Sequence, residues 1–379
     1  MKKIIYIGYL SDINNDDRKS APSADTKMKY IMSAIKKAGY DIEVISCTIP
    51  NKKEGLFKKH KEYITNIDGV NVTFVSGWTS KIVIFRYLGR WFSWLNLKKM
   101  IKKKSLKENA KIIIYHSLSY MKLLKFLNKN HKEYILEVEE IYGDVIGKKK
   151  IRQLELNYLT NANGYIFPTL KIDDIVNEKS KPSIIVHGTY CVEEKRETIF
   201  KDKKIHCVYA GTFDPLKGGV YASINSARYL DEKYCMHILG FGNGQQIENV
   251  KKEIEMVSKL TNCKISYDGL LYGEKYIQFI QSCDIGLSTQ NPQGEYNDSS
   301  FPSKILSYMS NGLKVVSINI PVVVTSNVGN YLYYYTNQEP KEIADAIKLV
   351  DLKSSLQSEQ ILEKLNEKFI SEIRQMLGE

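Results

Sequence analysis

No uninterrupted apolar run in this sequence approaches the ~18 residues of a membrane span, so a helical integral membrane protein is not expected. The six cysteines fall at 47, 191, 207, 235, 263 and 283 with no Cys-x-x-Cys pair. That spacing argues against a zinc motif and against the disulfide framework of a small secreted domain, and it fits a reducing cytosol. The opening "MKKIIYIGYL" is too short for a signal-peptide core and reads as a first strand. Short-period repeats, low-complexity tracts and Asp-x-Asp are also missing. What remains is a 379-residue chain, 43% hydrophobic, long enough for two domains. Its net charge of +12 points to an acidic partner: nucleic acid, anionic lipid or a phosphorylated ligand.

Short apolar strands alternate with amphipathic helices along most of the chain. "KIIYIGY", "DIEVISC", "VNVTFVS", "KIIIYHS", "YILEVEE", "GYIFPT" and "SIIVHGT" read as strands in the first half. Several are continuous apolar runs, as parallel strands buried on both faces require. Cys191 to Lys204 is charged and poor in core residues, hence a linker over 191–204. The alternation then restarts with "IHCVYAG", "CMHILGFG", "CKISYDG", "CDIGLST" and "LKVVSIN". The expected class is α/β: two Rossmann-like, doubly wound domains, 1–190 and 205–355, facing across a cleft. A closing helix over 356–379 is expected to pack back toward the first domain.

Ligands of open α/β sheets sit at the carboxyl ends of strands, and four loops there are rich in glycine and polar residues. They read "GTFDPLKGG" (211–219), "GFGNGQ" (240–245), "YDGLLYGEK" (267–275) and "TQNPQGEYNDSSFPSK" (289–304). Taken in this order, from Tyr209 to Ser317, they resemble the GT-B glycosyltransferases, in particular the family 4-like retaining enzymes of bacterial surface polysaccharide or glycoconjugate synthesis. The resemblance implies a first loop that presents a basic residue to the donor diphosphate, placing Gly211, Thr212 and Lys217 there. It implies that Gly240 and Gly242 form a second turn, and that Leu271 and Tyr272 hold the nucleobase through backbone. It makes "FPSKILSYMSNG" the donor helix.

Two glutamates usual in the family fall on Ser299 and Ser307, and an arginine of the first loop falls on Thr212. Ribose and sugar recognition therefore rest on weaker groups, and a catalytically silent, accessory relative is the alternative reading. A nucleotide-sugar epimerase is a remoter one. Without Asp-x-Asp to recruit a divalent ion, positive charge on the departing diphosphate has to come from the protein. Lys217, Lys304 and the N–H groups opening the helix at Pro302 supply it, with Ser299, Ser300 and Ser303 as hydroxyl donors and Phe301 beside them. Pro302 suits the first helical position and Gly312 the residue past the end. Ile305, Leu306 and Met309 form its apolar stripe. A merely capped, solvated helix is the plainer alternative. No metal site is expected, and no cofactor beyond the nucleoside-diphosphate sugar as co-substrate.

The first half is expected to serve the acceptor. Glu139 and Glu140 stand at the end of a strand, where a carboxylate can take or orient a hydroxyl proton. His116 ends "IIIYHS", where relatives place a histidine facing the donor sugar; a core histidine is the equal alternative. Asp25 and Thr26 read as caps of the first helix. Lys81–Lys104 combines Arg90, Trp91, Trp94, Lys98 and Lys102 in the composition of an amphipathic helix at an anionic membrane, or equally of an ordinary crossover helix. Nucleic acid is set aside for lack of any accompanying motif. Together these imply a transferase moving a hexose from a donor, UDP-linked by this reading, to a glycan or lipid-linked saccharide. It would be metal-independent and retaining, in the cytoplasm and peripheral at the inner face of the membrane.

Overall fold

The computed structural model describes residues 3–12, 14–15, 22–47, 57–108, 110–215, 218–294, 300–354 and 357–378. The chain divides into two compact units, Met1–Thr189 with Lys368–Glu379, and Tyr190–Glu367. Lys217 and Ser299 lie outside the described residues.

Ten strands belong to the first unit: β1 Lys3–Gly8, β2 Asp41–Ser46, β3 Phe57–His60, β4 Tyr63–Ile67, β5 Val70–Phe74, β6 Gly77–Ser80, β7 Lys111–Tyr115, β8 Tyr134–Glu137, β9 Gly164–Phe167 and β10 Ser183–Ile185. Eight of them form one sheet in the order β10-β9-β8-β7-β1-β2-β5-β4. It is parallel except for β4, which pairs antiparallel with β5. The centre of the sheet is apolar on both faces: Ile4, Ile5, Tyr6 and Ile7 of β1 are completely buried. The β4–β5 hairpin turns on Asp68 and Gly69, both at positive φ (51° and 73°), which is the type I′ geometry that an Asp-Gly pair favours. Within the first unit, Phe369 of the last helix, Ser358–Met376, stacks on Tyr30 at 5.3 Å. Just past it, the Leu377 carbonyl accepts from Lys111 Nζ at 2.7 Å.

The second unit holds β11 Ile205–Thr212, β12 Tyr234–Phe241, β13 Lys264–Gly269, β14 Ile285–Ser288, β15 Lys314–Ile318 and β16 Tyr333–Tyr335. They form one sheet in the order β13-β12-β11-β14-β15-β16, parallel throughout. The strand order reverses at β11, which has β12 on one side and β14 on the other. β11 pairs with β12 as far as Thr212↔Phe241. Its pairing with β14 covers only Cys207↔Ile285 and Val208↔Gly286. Beyond that point the two strands part.

Tyr308, on the helix Ser303–Ser310, fills the split. Its hydroxyl accepts from the Ala210 N–H of β11 at 2.8 Å and donates to the Leu287 carbonyl of β14 at 3.4 Å. Burial pushes the Tyr308 pKa well above its usual value, so the group stays a neutral donor and acceptor. Its ring occupies the space a side chain at 286 would need: a Cβ on Gly286 would come within 2.3 Å of it. Ile305, Leu306 and Met309 are buried beside Tyr308, and Gly312 closes the far end at φ 87°. Helical structure begins one residue later than the sequence suggests, with Pro302 as the extended N-cap residue (ψ 102°) and Ser303 first in the helix.

Removing the Tyr308 hydroxyl leaves a buried N–H without its acceptor, a loss of about 1–3 kcal/mol. Tyr308→Phe should destabilise the protein by that amount in denaturant unfolding. A change below about 0.5 kcal/mol, ordinary for surface substitutions, would show that the hydroxyl does not hold the split.

Candidate functional site

Lys304 stands one helical turn before Tyr308, so the two side chains leave the same side of their helix. Tyr308 enters the split and Lys304 extends over the end of β11. Its Nζ lies 3.8 Å from the centroid of the Tyr209 ring, a cation–π contact. The same atom would be 2.5 Å from a Cβ at position 211, so Gly211 makes room for the ammonium. Tyr209 is itself oriented by its hydroxyl, which donates to the Thr212 carbonyl at 3.1 Å. Around the ammonium is a cavity of about 170 Å³ whose walls include Tyr209, Thr212, Ser300, Phe301, Ser303 and Lys304. Its back is closed by Thr289, whose Oγ1 donates to the Gly219 carbonyl at 2.7 Å and whose carbonyl accepts from Gln338 Nε2 at 2.8 Å. Pro302, the N-cap residue, has no side chain to cap the first turn.

A second cavity, of about 180 Å³, lies on the other side of Gly211 and is lined by Gly240, Phe241, Leu270, Leu271 and Tyr276. Gly240 sits at φ 142°, and a Cβ there would fall 1.8 Å from the Gly211 carbonyl oxygen, so only glycine fits. Of the donor residues read from the sequence, Thr212, Ser300, Phe301, Pro302, Ser303 and Lys304 line the first cavity, and Gly211, Gly240 and Leu271 the second. Gly242 packs on Gln246 beside the capping box of the helix Gly244–Ser258, and Tyr272 is 74% exposed. Neither lines these cavities. The Ser307 hydroxyl lies 3.4 Å from that of Tyr276. Sequence reading did not single out Tyr209, Thr289 and Tyr276, because a lone aromatic or hydroxyl in a strand, loop or helix carries no motif.

In the first unit the carboxyl end of the sheet gathers a charged cluster. Glu137, the last residue of β8, is completely buried and accepts from the Tyr6 hydroxyl. Its Oε1 is buried without a donor. Burial first, and then the neighbouring Glu139 carboxylate, push its pKa up to about 8. Lys27, 5% exposed, sets its Nζ 3.3 Å from Glu139 and donates to the Val186 and Gly188 carbonyls at 2.8 and 3.3 Å. Nearby, His187 is held to about pKa 4, chiefly by burial, with its Nδ1 2.7 Å from the Pro168 carbonyl. Glu140 is exposed. His116 is only 2% exposed, its Nε2 2.6 Å from Glu155. Glu155 in turn accepts from the Tyr142 and Gly143 N–H groups at 3.0 and 2.7 Å. Neither Glu137, Lys27 nor Glu155 was apparent from the sequence, where each sits in an ordinary strand or helix pattern. Asp25 accepts the Ser11 N–H at 2.7 Å instead of capping, because its helix starts at Pro22.

The basic aromatic segment forms the helix Val83–Glu108. Trp94 meets Phe126 edge-on at 6.3 Å, and the Lys98 and Lys102 ammonium groups lie 5.0 and 5.8 Å from the same ring. Arg90 is exposed, and so is Trp91 at 53%. Trp78, Tyr87, Arg90, Trp91, Trp94 and Tyr120 are among the walls of an apolar groove of about 360 Å³.

No protein-family model and no curated protein matches the sequence. Solved structures do match the fold over its full length. Sucrose-phosphate synthase of Thermosynechococcus elongatus superposes with a TM-score of 0.64 at 12% identity, over 100% of this chain and 98% of that one. HepE of Anabaena, solved with UDP and glucose, gives 0.60 at 10% identity over 100% and 98%. WaaB, a lipopolysaccharide outer core galactosyltransferase, gives 0.57 at 14% identity over 98% and 94%. The chain thus has the GT-B glycosyltransferase fold.

The buried Glu137 sets a pH dependence of known sign. Its pKa is raised in the fold from 4.5 to about 8, so the folded state keeps a proton that the unfolded chain has lost. Stability is fully present below about pH 4.5 and falls as pH rises toward 8. His187, depressed from 6.5 to about 4, works the opposite way but only below pH 6.5. Between pH 6.5 and 8 the wild type should therefore lose stability, at up to about 1.4 kcal/mol per pH unit, and Glu137→Gln should not. Parallel slopes for the two proteins in urea unfolding would show that Glu137 is ionised in the fold.

Proposed function

We propose that the protein is a glycosyltransferase that moves a hexose from a nucleoside-diphosphate donor, UDP-linked, to a glycan or lipid-linked saccharide. The observation that carries this reading is the Lys304 ammonium, held by Tyr209 and Gly211 in a polar cavity at the start of a helix. Breaking the glycosidic bond leaves negative charge on the diphosphate. A preorganised ammonium beside the positive end of a helix dipole stabilises that charge as it forms. Lys217, which the sequence resemblance puts in the first loop, is assigned to the same charge, and the two lysines take the part a divalent ion plays in Asp-x-Asp enzymes. Ser300 and Ser303 add hydroxyl donors to the phosphates, and Leu271 and Gly240 border the space for the nucleoside. UDP is the nucleotide named for HepE, which supports the choice of base.

The first unit takes the acceptor near Glu139, Glu140 and His116. A glycosyl transfer with retention, on surface polysaccharide, is the form of the reaction that the likeness to family 4-like enzymes favours. The exposed apolar residues Ile84, Tyr87, Leu88 and Trp91, with Arg90, form a face suited to an anionic bilayer. The protein works there as a peripheral cytoplasmic enzyme. Serines in place of two usual glutamates, one of them lying against Tyr276, favour the second reading of a donor-binding accessory protein without turnover.

Lys304→Ala separates these readings. For an enzyme, the variant should lower kcat on the order of 100-fold, weaken donor binding in calorimetry, and leave the melting temperature nearly unchanged, since the buried stripe of the helix is intact. An accessory protein would show weaker donor binding in the variant and no turnover in either form. Unchanged Kd and kcat would reduce the helix start to a solvated cap. For the bilayer, wild type should float with anionic vesicles at low salt and lose attachment in Trp91→Ala with Arg90→Ala. Absence of wild-type flotation would remove the membrane from the proposal.

A further inference from the structure

A cluster of metal-ligating groups lies at the opposite end of β11 from the Lys304 cavity. His206, near the start of β11, is the register partner of Cys235 on β12. Two residues on, His237 faces Ser266 of β13. Parallel partners project to the same side of the sheet, so His206, Cys235, His237 and Ser266 share one face. The segment before β11 folds over them: the Phe200 ring stacks on His206 at 4.1 Å and 1°, and on His237 at 4.8 Å. Asp202 arrives from the same segment. Thr212 lies six positions beyond His206, roughly 20 Å along the strand, so this cluster is distinct from the donor cavity.

The polar atoms form a chain with three links. Asp202 Oδ1 lies 2.8 Å from His206 Nε2, and His206 Nδ1 lies 2.9 Å from His237 Nε2. His237 Nδ1 lies 3.2 Å from Asp268 Oδ2. The Ser266 hydroxyl lies 2.8 Å from Asp268 Oδ2 and 3.1 Å from His237 Nδ1 and can donate to either. Two neutral imidazoles carry two hydrogens for the three links. The ring nitrogens are all satisfied with Ser266 turned to His237, or with a proton or a metal ion on the pair.

Cys235 decides between these. Its Sγ takes no part in the chain of hydrogen bonds, yet it is 3% exposed and lies within 4.8 Å of the Asp202 and His206 ligand atoms. A proton has no use for it. For a divalent ion with bonds of about 2.0–2.3 Å, ligand atoms come to rest roughly 3.3–3.8 Å apart, a modest closing of the group as it stands. A metal ion on His206 Nε2 also completes the hydrogen count. His206 Nδ1–H then donates to His237 Nε2, and His237 Nδ1–H donates to Asp268, leaving both rings neutral. Asp268 and His237 become the outer partners that orient a ligating imidazole.

We propose that Asp202, His206 and Cys235 bind a structural divalent ion of the zinc class, with His237 and Asp268 as its outer shell. Binding displaces the Cys235 thiol proton, and the two negative ligands neutralise the ion. A carboxylate, an imidazole and a thiolate suit zinc, with water from the exposed Asp202 side in the fourth position. Bound there, the ion fixes the segment around Phe200 and Asp202 to the sheet.

The test uses the full-length protein, freed of metal with a chelator and then titrated with Co²⁺ and with Zn²⁺. Co²⁺ should give thiolate charge-transfer and tetrahedral visible bands that saturate at a single equivalent, and Zn²⁺ should displace it and raise the melting temperature. Cys235→Ser should abolish the charge-transfer band. Asp202→Asn, at an exposed position that leaves the fold intact, should weaken binding, and His237→Gln should weaken it about 10–100-fold. No saturable Co²⁺ signal in the wild type would overturn the proposal. So would a signal that persists unchanged in Cys235→Ser and Asp202→Asn, since the ion would then sit elsewhere, with the exposed Cys191 the first suspect.

Discussion

The hydroxyl of Tyr308 bridging two strands that have stopped pairing is the interaction on which the candidate donor site depends. A parallel sheet whose strand order reverses opens a crevice where the two directions meet, and backbone groups exposed there need partners. Tyr308 supplies them to Ala210 and Leu287, and the bare Gly286 lets its ring in. Because the anchor sits on the second turn of a short helix, it also fixes where the first turn points. Lys304 reaches Tyr209 and Gly211 as a geometric consequence of Tyr308 reaching Ala210. Packing and charge placement are thus one constraint, and a packing defect at 286 or 308 displaces the ammonium as well.

The carboxyl end of the first unit's sheet is organised on a different balance. There a buried lysine, two glutamates and His187 lie close together, and burial, the largest influence on Glu137, is what holds it protonated. Lys27 stays buried because two carbonyls accept its hydrogens and the Glu139 carboxylate balances its charge. A neutral carboxyl at this place can give a hydrogen bond where an ionised one can only accept. The charge around Glu139 therefore depends on a residue two positions back in the strand.

The strand-and-helix alternation was legible because the parallel strands are unbroken apolar runs. β4 escaped despite the Asp-Gly turn signal at 68–69, since it is half exposed and lies at the sheet edge. β16 escaped because three tyrosines read as neither core nor alternation. At the candidate site the residues that carry motifs, Gly211, Pro302, Ser303 and Lys304, fall together around the cavities. Tyr209, Tyr276, Thr289 and Tyr308 do not announce themselves, because their roles come from strand register and from the i, i+4 spacing on one helix. The same holds for His206 and Cys235, which strand pairing brings together, with Asp202 four residues before His206. A chain without Cys-x-x-Cys can still bring a cysteine and a histidine together across two strands.

A crystal structure of the protein grown with UDP tests most directly whether the first turn of the Ser303–Ser310 helix is a diphosphate site. The diphosphate should lie in the cavity between Tyr209 and Ser300, with an oxygen within hydrogen-bond distance of Lys304 Nζ and of the N–H groups that open the helix. UDP bound with its phosphates away from Lys304, or no UDP in that cavity at saturating concentration, would contradict it.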